Sequence, residues 1–142
     1  MRVDSEVDIA ATADRVRPYL DDLANYGEWM PLVHSVEVAE GGPMPAWDVE
    51  LRAKVGPLAR SKKLRMKRTV NDAQRIVFER AENDGRRHSP WVLTIDMAEI
   101  AGGLRVRVTL DYGGSLWTGG ILDKLLASNI DAGRDGLRKL FA

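Results

Sequence analysis

Apolar and polar residues alternate singly over most of the chain, and recur every three to four residues at its end. From Arg2 to Ala10, Val3, Ser5, Val7 and Ile9 fall on one side and Arg2, Asp4, Glu6 and Asp8 on the other. That pattern predicts a strand with one buried face. The period changes over Ala11–Met30. Thr12 suits an N-cap, Asp14 suits a first turn, and Val16, Tyr19, Leu20 and Leu23 form a helical stripe. Pro18 requires the helix to be short or bent, and a second short helix over Asn25–Trp29 is stopped by Pro31. Strands follow up to Tyr112. Alternation places His34, Val36 and Val38 on one face, then Trp47 to Val55, then Leu64, Met66, Arg68 and Val70. Ile76, Phe78 and Arg80 share a face, as do Trp91, Leu93, Ile95 and Met97, and then Leu104, Val106, Val108, Leu110 and Tyr112. Gly56-Pro57, Asn71-Asp72, Asn83-Asp84-Gly85 and Gly102-Gly103 supply tight turns, so consecutive strands are antiparallel.

Residues 119–142 read as one amphipathic helix about 36 Å long. Leu122, Leu125, Leu126, Ile130, Leu137 and Leu140 share one side, interrupted by Asn129, Gly133 and Gly136. A glycine inside a helix costs about 1 kcal/mol relative to alanine, so two on the apolar side need a reason. Close packing on another element is one. A cavity under the helix, with Asn129 pointing into it, is the other, and it is the expectation adopted here. Burying the helical stripe and the strand stripes together requires a curved antiparallel sheet wrapped around the C-terminal helix, with two short helices after the first strand. The expectation is an α+β fold, one domain over residues 1–142.

Composition narrows the function by exclusion. Lys+Arg and Asp+Glu are both 21, so net charge gives no pull toward nucleic acid or membrane. The absence of cysteine removes disulfides, thiolate metal sites and a cysteine nucleophile. No apolar run reaches the roughly 20 residues that span a bilayer, and no apolar leader is visible, which points to the cytoplasm.

Several segments carry a family resemblance: Val7-Asp8-Ile9-Ala10-Ala11, Val16, Leu23-Ala24-Asn25-Tyr26-Gly27-Glu28-Trp29-Met30-Pro31, Val36-Glu37-Val38 and the long last helix. With these the chain resembles the helix-grip START / Bet v 1-like (SRPBCC) superfamily, and within it the polyketide cyclase/dehydrase and lipid-transport branch. Thr12-Ala13 departs from the proline often found there. The resemblance implies a deep cavity between sheet and last helix, holding a lipid, polyketide, quinone or hormone. Some relatives are enzymes and many only bind, so fold leaves the activity open.

Motifs for chemistry are sparse. Gly113-Gly114-Ser115-Leu116-Trp117 lacks the second glycine of a nucleophile elbow. Phosphate-cradling loops are absent, two histidines and no spaced carboxylates make no metal site, and no cofactor is expected. Lys62, Lys63, Arg65, Lys67 and Arg68 form a basic run whose alternate members face solvent. A solvated strand face explains it, and docking on a membrane or other anionic partner is the alternative. The expected cavity is lined by Met66, Phe78, Trp91, Leu93, Val108, Leu126, Ile130 and Gly133, with a volume of about 300–1,000 Å³. Its polar end draws on Arg68, Arg80, Tyr112 and Asn129, which suits a ligand with an acidic head group. Three functions follow: binding of a hydrophobic small molecule, a polyketide cyclase with His34 as base and Arg68 or Arg80 on the enolate, or a lipid or quinone chaperone at a membrane surface. Oligomerisation is left open.

Overall fold

A computed structural model describes residues 2–40, 42–113 and 121–142, without the side chains of Val55, Leu58, Ile121, Leu122 and Asp123. Trp117, Gly119 and Gly120, expected at the start of the last helix, lie outside the described residues. Seven strands, β1 (Arg2–Ile9), β2 (Val33–Ala39), β3 (Ala46–Val55), β4 (Leu58–Asn71), β5 (Arg75–Arg80), β6 (Trp91–Ile100) and β7 (Gly103–Tyr112), form one curved antiparallel sheet in the order β1-β7-β6-β5-β4-β3-β2. The order is a meander from β2 to β7, with β1 added beside β7. Turn chemistry explains the hairpins: Gly56 (φ 61°) joins β3 to β4 and Gly102 (φ 78°) joins β6 to β7. Both take the positive φ that glycine adopts without penalty.

Between β1 and β2 the chain forms one-turn helices α1 (Ala13–Val16) and α2 (Pro18–Asp21), then a 3-10 helix (Leu23–Glu28). Pro18 opens α2 at a position where its missing N–H is harmless, which divides the helix as its sequence predicts. Thr12 precedes α1 without a side-chain cap bond, whereas Asp22 caps the 3-10 helix through the Ala24 N–H. Tyr26 Oη donates to Leu20 O at 2.7 Å and Trp29 Nε1 to Tyr19 O at 2.8 Å, so both anchors satisfy their polar atoms while burying their rings.

Helix α3 (Ile121–Leu140) runs against β1, where Ser5 Oγ donates to Asp131 Oδ1 at 3.3 Å. Its buried residues Leu126, Ile130 and Leu137 join one core with Val7, Ile9, Ile76, Phe78, Ile95 and the inward residues of β7. Solvent-side residues pair across strands: Arg2 with Asp111, Arg105 with Asp8, Arg65 with Asp48, Arg75 with Asp96. Each exposed pair adds little to stability.

Alternation fails at two places. A register shift between Val33 and Ser35 leaves the His34 side chain 47% exposed, while Val36 and Val38 keep the face of their partners Val49 and Trp47, Val36 packed against the core and Val38 75% exposed on this edge strand. The expectation that His34 faces inward is therefore corrected. A second shift, between Arg68 and Val70, turns Val70 outward. One extra residue in a strand moves all that follow to the other face.

Candidate functional site

Two small recesses lie between the sheet, the 3-10 helix and α3. The inner one, about 60 Å³, is walled by Leu23, Tyr26 and Met30 from the helical side, by Leu51, Leu64, Met66, Trp91 and Leu93 from the sheet, and by Ile130 from α3. The outer one, about 80 Å³, shares Leu32, Leu51 and Trp91 with it and continues past Leu125 and Leu126 to a rim of Arg52, Arg60, Ser61 and Lys62. The expected single cavity of 300–1,000 Å³ is thus corrected to two smaller ones. Large side chains from the helical segment, Tyr26 and Met30 among them, occupy the space the periodicity left open.

Four of the residues expected at the cavity, Met66, Trp91, Leu93 and Ile130, line the inner recess, and Trp91 and Leu126 line the outer. Phe78 is fully buried between Tyr26 and Trp47, and Val108 and Tyr112 are core residues of β7. The two glycines have a different role from the expected one. A Cβ on Gly133 would meet Met30 Sδ at 2.7 Å, and one on Gly136 would meet Trp29 O at 2.3 Å. They let α3 approach the Trp29-Met30 segment, whose atoms fill the space beside both glycines. Asn129 Nδ2 donates to Leu125 O at 2.8 Å, a bond within its own helix, so the picture of its amide pointing into a cavity is also corrected.

The arginines expected at the polar end are engaged elsewhere. Arg68 Nη1 donates to Asp21 O at 2.7 Å, tying β4 to the end of α2. The Arg80 side chain, 10% exposed, pairs with Glu82 and donates to Ser89 O at 3.2 Å. Glu82 also accepts from Arg65 N and lies 3.2 Å from His88 Nδ1, while His88 Nε2 lies 2.9 Å from Asp84 Oδ1. The bond to His88 holds the Asp84 carboxyl below the usual carboxylate range. His34 Nε2 lies 3.9 Å from Glu50 Oε2 on the solvent side, away from both recesses. Tyr26, the one phenol on the inner wall, is pushed well above its ordinary value by burial, with Asp21 adding to the effect, so it stays neutral at physiological pH. Among the described residues lining the recesses there is no carboxylate and no imidazole.

What sequence reasoning missed lies at the junction of the recesses. Trp91 is 3% exposed and its Nε1 has no hydrogen-bond partner among the described residues. Lys62 Nζ sits 5.7 Å from the centroid of the same ring, and Tyr112 packs beside it. Burial lowers the Lys62 ammonium from its usual value, the Arg80 charge lowers it further, and Glu82 opposes both. The signal was present: alternation puts Lys62 on the face of Leu64 and Met66. The outward cations of the same run lie opposite carboxylates, Lys63 across from Glu50 and Arg65 across from Asp48 on β3, and Lys67 across from Glu79 on β5, so this face is charge-balanced and not a basic patch.

A family model described as polyketide cyclase / dehydrase and lipid transport matches residues 1–142. No curated protein matches the sequence. Solved structures share the fold. TTHA0849 from Thermus thermophilus has 22% identity, with 98% of this chain and 95% of that one aligned at a TM-score of 0.77. A START superfamily protein from Mycobacterium smegmatis has 15% identity, 99% and 96% coverage and a TM-score of 0.74. The Zhui aromatase/cyclase from a Streptomyces species has 18% identity, 99% and 92% coverage and a TM-score of 0.72. No helix among the described residues is long and apolar enough to cross a membrane.

Proposed function

Because the chain belongs to the polyketide cyclase/dehydrase and lipid-transport family, we propose that it binds a hydrophobic small molecule along the seam between the 3-10 helix, the sheet and α3. The observation that carries this reading is the pair of adjoining apolar recesses meeting at Trp91, the inner one walled almost wholly by hydrocarbon and thioether. Met30 and Met66 are unbranched and adaptable, so a ligand larger than the resting space enters by repacking them at little cost. The opening is at the outer recess, whose rim carries Arg52, Arg60 and Lys62. Binding is favoured over catalysis because the recess walls offer no acid/base pair for an aldol closure.

The test is titration with Nile red. The wild-type chain is expected to bind it with a blue-shifted emission, and Leu51→Trp, which fills the junction of the recesses, is expected to remove that binding while thermal unfolding stays cooperative. Undiminished binding to a folded Leu51→Trp protein would place the ligand elsewhere. Turnover of a poly-β-ketone thioester would return the cyclase reading.

A further inference from the structure

Trp91 and Lys62 stand out because each has a capacity for hydrogen bonding that the described fold does not use. Trp91 Nε1 is a donor cut off from solvent with no acceptor among the described residues. Such a group costs free energy until an acceptor arrives. Lys62 Nζ lies over the ring that bears this donor, on the rim of the outer recess. The nearby carboxylate, Glu82, already accepts from Arg65 N and Arg80 Nε and lies against His88, so its capacity is shared. Arg80 adds a second positive charge close by. An ammonium, an unpaired N–H and a cationic rim therefore converge where the apolar recesses meet. We propose that the ligand is a carboxylate amphiphile, with its apolar body in the recesses and its head group held by Lys62 Nζ and Trp91 Nε1. The inference rests on the binding reading above and specifies its chemical class. Two donors of different kinds match the two oxygens of one carboxylate, and a charge-assisted bond formed away from bulk water is stronger than a neutral one.

The experiment compares decanoate with decanol, each displacing Nile red from the full chain. They share an apolar body and differ in the head. Wild type is expected to bind decanoate about tenfold or more tightly than decanol. Lys62→Met, which keeps the stem and removes the charge, should abolish that preference by weakening decanoate about tenfold more than decanol, and Lys62→Arg should restore part of it. Trp91→Phe should weaken decanoate more than decanol. Equal binding of the two ligands by wild type, or a preference that survives Lys62→Met, would overturn the carboxylate assignment and leave the hydrophobic pocket standing. Tighter binding of decyl phosphate than of decanoate would overturn it in favour of a phosphate head. Absence of Nile red binding by wild type would overturn both readings.

Discussion

Gly133 and Gly136 face the same segment, yet their neighbours give opposite forecasts. A methyl on Gly136 would strike Trp29 O at 2.3 Å, a backbone atom held by the 3-10 helix and its flanking bonds. Gly136→Ala should cost about 1–3 kcal/mol by overpacking, more than the helix-propensity gain of about 1 kcal/mol returns. On Gly133 the nearest atoms are the flexible end of Met30, at 2.7 and 2.8 Å. That end can swing aside, so Gly133→Ala should be close to neutral. Chemical denaturation of both variants checks the contrast, and equal effects would contradict it. At the same scale, Asp72 accepts from the N–H groups of Gln74 and Arg75, and these bonds hold its carboxyl below the usual range. A depressed folded-state value contributes stability above the unfolded value, near pH 4, and loses it as pH falls through the folded one. Asp72→Ala should therefore melt below wild type at pH 7, and the gap should narrow in scans toward pH 3. A gap that widens on acidification would show that the Asp72 bonds do not favour its ionised form.

At the scale of elements, the strands and helices follow from local period, and the exceptions follow from bulges. Nothing near His34-Ser35 or Thr69 marks an extra residue: there is no glycine or proline, and both stretches keep a strand-like composition. Alternation therefore mis-assigned His34, at the shift itself, and Val70, beyond the shift in β4, whereas Val36 and Val38 stay on the face of Val49 and Trp47. Helix α3 shows the reverse case, a stripe whose buried members were legible. Leu137 is fully buried against the core, beside the two glycines. Leu137→Ala should cost about 2–5 kcal/mol, the range for deleting a buried leucine side chain. A urea midpoint unchanged within error would mean that α3 packs differently from the structure. Ser5 to Asp131 is a side bond of this docking and is not expected to carry comparable weight.

The whole molecule decides where space remains. Seven segments, the 3-10 helix with the turn after it, β2, β3, β4, β6, β7 and α3, contribute walls to the recesses. The cationic rim is built from β3 and the start of β4, and Trp91 reaches it from β6. By itself the sequence determined the α+β layout, the antiparallel hairpins, the inward faces of β1, β3, β6 and β7, and the family, because turn chemistry and periods of 2 and 3.6 are local properties readable within a few residues. It also placed Met66, Trp91, Leu93 and Ile130 on buried faces. Only the tertiary structure decided that Trp29 and Met30 fill the space beside Gly133 and Gly136, that Arg68 and Arg80 have other partners, and that Lys62 lies over Trp91. Those outcomes depend on strand register and on side-chain volumes meeting across long sequence distances, and no local period encodes what remains between elements once they are packed.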